Sequence, residues 1–147
     1  FAPNEVGNDI ENFVLKELDR VGYQSSAPLT SSGKKKNTGY PDLQFVDNYG
    51  RLNYLECKTY NVENITSSQR SFYLSPSSEF KVTKNAHHFV ISFEMSISRR
   101  SGKNNTYKCK GWKIIDVSNL LVDVKHEFNA DNERLYSPHL ILSEGTL

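Results

Sequence analysis

Pro41-Asp42-Leu43-Gln44-Phe45-Val46-Asp47-Asn48-Tyr49-Gly50-Arg51-Leu52-Asn53-Tyr54-Leu55-Glu56-Cys57-Lys58 is the stretch whose reading decides the fold. It reads as two short strands joined by a turn. Leu43, Phe45 and Val46 make the first strand apolar, and residues 52–58 form the return strand. Asp47-Asn48-Tyr49-Gly50 between them is a turn cluster with a glycine where a positive φ suits the chain. Side chains alternate across a strand with period two. Glu56 and Lys58 therefore share one face, and Leu55 and Cys57 share the other. An acid and a lysine side by side, reached by Asp42 from the adjoining strand, suit a divalent cation with a positive charge beside it. Carboxylate oxygens suit Mg²⁺, which keeps several waters and takes its remaining ligands from phosphates.

Pro41-Asp42 followed by Glu56-Cys57-Lys58 resembles the PD-(D/E)xK signature of type II restriction endonucleases, archaeal Holliday-junction resolvases and several repair nucleases. The resemblance implies an α/β (α+β) fold with a restriction-endonuclease-like core, a mixed central β-sheet flanked by helices. It implies metal-dependent hydrolysis of phosphodiester bonds in DNA. Asp42 and Glu56, joined by Glu11, would hold one or two Mg²⁺ ions, with Mn²⁺ as a substitute. Lys58 would orient the attacking water or stabilise the developing charge. Cys57, at a position commonly apolar in that superfamily, is a packing residue and not a nucleophile.

Upstream of the hairpin, residues 4–21 read as an amphipathic helix. Val6, Ile10, Phe13, Val14, Leu18 and Val21 form one stripe at helical spacing. Asn4 or Asn8 suits its cap and Gly22 its end. Glu11 lies at the edge of the stripe, and the superfamily's first helix often supplies a glutamate to the metal site. A solvated helix charge explains Glu11 equally well. Glu17, nearer the centre of the stripe, has no explanation at this level. Residues 25–37 are polar and carry Lys34, Lys35 and Lys36, a mobile surface loop by composition. That lysine run suits a phosphate backbone or simply solvent.

Downstream, Thr66 with Gln69 three residues on is a capping-box pattern and predicts a helix to about residue 74. Gln69 and Tyr73 would share a face one turn apart, similar to a motif in exonuclease branches of the superfamily. The cap alone also accounts for Gln69. Residues 75–85 are irregular, with Pro76 as a breaker. Residues 87–95 carry a buried-strand pattern in Phe89-Val90-Ile91-Ser92-Phe93. His87 and His88 have no zinc-spaced partners and read as structural or solvent-facing. Arg99, Arg100 and Lys103 mark a basic hairpin tip before a strand at 107–117, a second candidate for phosphate contacts or a solubilising edge. Residues 118–128 read as a helix with Leu120, Leu121, Val124 and Phe128 buried, and Leu140-Ile141-Leu142 as a last short strand.

The 147 residues suit a single domain, 1–147, with one core. The chain opens on Phe1 and not on methionine, so a fragment of a longer chain is among the expectations. A net charge of +1 excludes a globally basic nucleic-acid binder, so any DNA contact rests on local clusters. Cys57 and Cys109 give neither a disulfide framework nor a zinc motif, which fits a reducing cytoplasm. No apolar run has membrane-spanning length. The expectation is a cytoplasmic type II restriction endonuclease acting as a homodimer on double-stranded DNA, with no membrane partner. The alternatives are a resolvase or repair nuclease, to which the low charge is unfavourable, and a non-catalytic DNA-binding module.

Overall fold

The hairpin forms as its pattern requires. Leu43–Val46 (β2) and Leu52–Tyr60 (β3) pair antiparallel, from Leu43 opposite Leu55 to Val46 opposite Leu52. Asp47 ties the turn: its carboxylate accepts from the backbone N–H groups of Tyr49 and Arg51 and from the Arg51 guanidinium. Gly50 has a φ of +74°, a region that other residues rarely enter. These details come from a computed structural model, which describes the chain except residues 1–2, 62, 64, 67, 69–70, 73, 102–103, 126–127 and 147. At 3–6, 8, 99–101 and 104–105 only the backbone is described.

Pro3–Arg20 (α1) is the amphipathic helix. It ends where Tyr23 N–H donates to the Leu18 carbonyl and Gly22 N–H to that of Asp19, with Gly22 at a φ of +94°. This is the Schellman closure that a glycine permits. Val14 packs against Leu43 and Leu55, with Ile10, Leu15, Leu18, Phe45, Cys57, Phe89, Ile91 and Phe93 around them. Burying a leucine stabilises the fold by about 1.5–3 kcal/mol, so Leu43 and Leu55, 1% and 5% exposed, anchor the helix to the sheet. Phe13 and Val21 remain exposed despite lying on the stripe. Glu17 pairs with Arg20 along the helix surface at 2.8 Å, which accounts for it.

The sheet is mixed, as expected, in the order β1-β2-β3-β4-β5. Gln24–Ser26 (β1) pairs antiparallel with β2. His87–Ser101 (β4) runs parallel to β3, and Asn104–Asp116 (β5) returns antiparallel to β4. A parallel pair needs a crossover of a dozen or more residues, usually a helix. Residues 61–86 make this crossover as an irregular segment among the described residues. Among the described residues, no helix is long and apolar enough to cross a membrane.

Several expectations are corrected. The helix predicted at 66–74 is absent from that span's described residues, and Gln69 and Tyr73 lie outside them. Phe72 instead meets the Tyr40 ring edge-on at 5.6 Å, a tertiary contact that outweighs a local cap signal. The helix predicted at 118–128 is likewise absent from its described residues, and Leu121 and Phe128 are fully exposed. A helix that short is marginal unless its apolar stripe is buried. Where a strand was expected at 140–142, the chain makes a 3-10 turn at Pro138–Leu140, preceded by a four-residue helix, Asn132–Leu135 (α2). The sheet is thus flanked by one long helix among the described residues. Within the polar segment expected to be a loop, β1 forms through backbone bonds to β2, without apolar alternation to announce it. Ser31 and Ser32 further tie that segment to residues 78–80.

Candidate active site

The face of β3 opposite α1 carries the site. Tyr54, Glu56 and Lys58 alternate with the core residues Leu55 and Cys57, as period two dictates. Lys58 Nζ donates to Glu56 Oε1 at 2.6 Å. Asp42 stands just before β2, across the ladder from Glu56. Its Oδ2 accepts the backbone N–H of Cys57 at 2.8 Å and so continues the ladder beyond Leu43. The peptide bond from Tyr40 to Pro41 is cis.

These groups form one electrostatic unit. Burial pushes the Glu56 carboxyl above the usual range; the Lys58 ammonium partly offsets this, and Asp42 adds to it. Glu11, on α1, is raised by burial and then by the charges of Asp42 and Glu56, so it lies in the electrostatic range of both. It does not line the cleft itself. The Cys57 thiol is pushed far up by burial and then by Asp42, Glu11 and Glu56, so it stays protonated and inert. Among the described residues, Glu56 Oε2 is buried with no donor in reach. An unmet buried acceptor costs about 1–3 kcal/mol, more when charged. A cation bound at this oxygen removes that cost.

The cleft over this face has a volume of about 870 Å³, and the crossover forms one wall of it. Asp42, Glu56 and Lys58 lie on its floor beside Lys81 and Tyr40, which the sequence reading left unassigned, and His88, which it read as structural or solvent-facing. Lys81 is only 5% exposed, and its ammonium donates to the carbonyls of Gly39 (2.8 Å) and Pro41 (3.0 Å). Burial draws its pKa down, and the charges of Asp42, Glu56 and Glu11 oppose that. The one sequence signal for it is a lysine set between apolar neighbours, Phe80 and Val82. Tyr40 and His88 stack at 5.8 Å and share a hydrogen bond of 2.6 Å between hydroxyl and Nδ1. The Tyr40 hydroxyl is pushed up to about 12 by burial and then by Glu56, so it keeps its proton.

Of the basic residues singled out for phosphate contact, Lys36 lines the cleft, where its ammonium reaches Ser77 Oγ at 3.3 Å and the Glu79 carbonyl at 3.4 Å. Lys34 and Lys35 are exposed on the adjoining turn. Arg99 and Arg100 belong to the end of β4, well past Ser92, the partner of Lys58 in the ladder. Lys103 lies outside the described residues.

Among the described residues, no three His, Cys, Asp or Glu side chains converge tightly enough to enclose a metal ion by themselves. Asp42 and Glu56 can supply two oxygens, and Mg²⁺ is commonly held by one or two carboxylates together with water and phosphate oxygens. The donor set therefore fits a hard divalent ion bound along with its substrate.

Fold and site together define an α/β protein with an acid–lysine pair on one face of the middle strand of a mixed sheet. The chain belongs to the type II restriction enzyme MjaV family, whose model matches residues 2–139. It is 43% identical over 152 aligned residues to the type II restriction enzyme MjaV of Methanocaldococcus jannaschii, an alignment covering 98% of this chain and 64% of that relative. The chain thus spans less than two thirds of that relative's length. No solved structure matches it.

Proposed function

We propose that this chain is a single nuclease domain with a restriction-endonuclease-like core, and that it hydrolyses phosphodiester bonds in duplex DNA as a cytoplasmic type II site-specific restriction endonuclease. The observation that carries this reading is the meeting of Asp42, Glu56 and Lys58 on one cleft floor, with Glu56 Oε2 buried and without a hydrogen-bond partner among the described residues, in a chain of this family. A divalent ion, Mg²⁺ or Mn²⁺ in its place, would sit at Asp42 and Glu56 with Glu11 adjacent. It would supply an acidified water and Lewis acidity toward the phosphate.

The chain's own residues do the positioning. The Cys57 N–H fixes one Asp42 oxygen and so sets the direction of the other. Lys58 lies within 2.6 Å of Glu56, which places a compact charge beside the phosphate that the carboxylates would share with the ion. There it offsets the negative charge that develops in the transition state. Two copies related by a two-fold axis would present one such site to each strand of a palindromic duplex, so the enzyme would act as a homodimer.

The test is to incubate the protein with a long DNA of known sequence and Mg²⁺, then sequence the ends. Discrete fragments sharing one terminal sequence are expected. Selective cutting of four-way junctions points instead to a resolvase. A failure to cut with either Mg²⁺ or Mn²⁺ overturns the nuclease reading.

A further inference from the structure

We propose that Lys81 is a positioning residue that clamps the turn carrying Asp42 and so fixes that carboxylate for its ligand role. The inference rests on the nuclease reading for its meaning, but its geometry is independent of it.

A lysine is among the residues least often buried, because removing an ammonium from water is costly. Lys81 is nonetheless 5% exposed, and its hydrogen bonds go to backbone carbonyls, those of Gly39 and Pro41, and not to a carboxylate. Those carbonyls sit on either side of Tyr40, and the second belongs to the residue just before Asp42. One ammonium thus holds two points of the turn at a fixed separation. From the other side, Asp42 Oδ2 is held by the Cys57 N–H of β3. The carboxylate is therefore gripped between the crossover and the hairpin.

The crossover can bear that load because it is anchored on both sides of Lys81. Before it, the Phe80 carbonyl accepts from Ser31 N–H at 2.8 Å, and the Ser78 carbonyl accepts from the Ser31 hydroxyl. After it, Thr83 N–H donates to the hydroxyl of the fully buried Tyr54. The charge suits the place as well. Asp42, Glu56 and Glu11 all act on Lys81, so the clamp is also a fixed counter-charge to the acids it helps to position. Outer residues of this kind typically contribute on the order of 10- to 100-fold to metal affinity or activity.

The experiment uses the full chain and the variants Lys81→Met and Asp42→Asn, with two readouts: amide hydrogen exchange at Cys57 by NMR, and Mn²⁺ binding by calorimetry without DNA. For Lys81→Met we expect Cys57 to exchange faster while the core amides of β3 and β4 keep their protection, and Mn²⁺ affinity to fall by about 10- to 100-fold. Parent-like exchange at Cys57 together with parent-like Mn²⁺ affinity in Lys81→Met overturns the clamp. If Asp42→Asn binds Mn²⁺ as the parent does, the metal-site reading fails instead, and the Cys57 amide still decides the role of Lys81. Should Lys81→Met not fold, Lys81→Gln, which keeps two N–H donors, is put through the same two measurements. The exchange rate of the Lys81 ammonium in the unaltered protein serves beside it: an ammonium exchanging as fast as that of the exposed Lys16 also overturns the clamp.

Discussion

The β2–β3 hairpin and the crossover at 61–86 each bring a lysine to the same carboxylates, by different means. Lys58 is placed by local geometry: two residues beyond Glu56 on one strand, its side chain must emerge on the same face. Lys81 is placed by tertiary contacts alone, with carbonyls far away in sequence receiving its ammonium. The hairpin lysine keeps its charge directed at a carboxylate on the cleft floor, whereas the crossover lysine spends two of its donors on the backbone. On the proposed function, the first would meet substrate and the second would hold the chain. Their removal should therefore differ in kind and not only in size.

The sharpest way to break the comparison is Lys58→Ala. Loss of one well-placed electrostatic partner typically lowers a rate by about 100- to 1,000-fold. Single-turnover cleavage of a cognate duplex at saturating Mg²⁺ should fall by that factor, while DNA affinity measured in Ca²⁺ stays near that of the parent. Lys58→Arg should not restore the rate fully, because a planar guanidinium does not occupy the position of a compact ammonium. A Lys58→Ala rate within a few fold of the parent would show Glu56-Cys57-Lys58 to be an ordinary strand, leaving Lys81 beside a site with no chemistry.

This difference also explains what the sequence disclosed. Period two along residues 52–58 was enough to set Glu56 and Lys58 apart from Leu55 and Cys57, and the structure has them so. Helical spacing likewise delivered α1 and set Glu11 at the edge of its stripe; a place for Glu11 beside the acids was implied by the resemblance alone, with a solvated charge equally open. The crossover has no period. Its Thr66 cap signal was local, and the contacts that govern the segment, Phe72 on Tyr40 and Lys81 on Gly39 and Pro41, join residues more than thirty positions apart. The stripe at 118–128 misled for a related reason: amphipathicity announces a helix only where something receives the apolar face, and here Leu121 and Phe128 meet solvent.

A smaller effect separates Glu11 from the hairpin acids. Its carboxyl lies above the ordinary glutamate value of 4.5 in the folded chain, through burial and then through Asp42 and Glu56. The unfolded chain ionises first as pH rises, so the folded state binds more protons and loses stability. The stability that protonation confers is complete below about pH 4.5 and is lost as pH rises through the folded value. The metal-free protein should therefore have less of this stabilisation at pH 7 than at pH 4.5, and melt at a correspondingly lower temperature by way of this group. Glu11→Gln should raise the melting temperature at pH 7 and flatten that dependence. Saturating Mn²⁺ should reduce the gain, because the ion neutralises the same repulsion. If Glu11→Gln melts as the parent does at both pH values, Glu11 is a solvated helix charge and the cluster consists of the hairpin acids alone.

The smallest effect expected concerns the lysine run, where the same contrast between local pattern and tertiary placement applies within three residues. By composition Lys34, Lys35 and Lys36 are equivalent. In the fold Lys36 alone of the three lines the cleft, with its ammonium near Ser77 and Glu79, while Lys34 and Lys35 sit exposed on the turn. Each phosphate neutralised by a lysine contributes about 0.9 to the slope of log affinity against log salt for duplex DNA. Lys36→Ala should lower that slope by about 0.9 and weaken binding to cognate and unrelated sequences alike, because a phosphate contact carries no base information. Lys34→Ala with Lys35→Ala should change it less, since long side chains on an exposed turn gain little from a screened contact. Binding isotherms between about 50 and 200 mM salt, the range over which such contacts show, decide the matter. Equal slopes for the parent and Lys36→Ala would mean that Lys36 braces the cleft wall through Ser77 and Glu79 and does not touch DNA. A larger change from the exposed pair would put the DNA path across the outer turn.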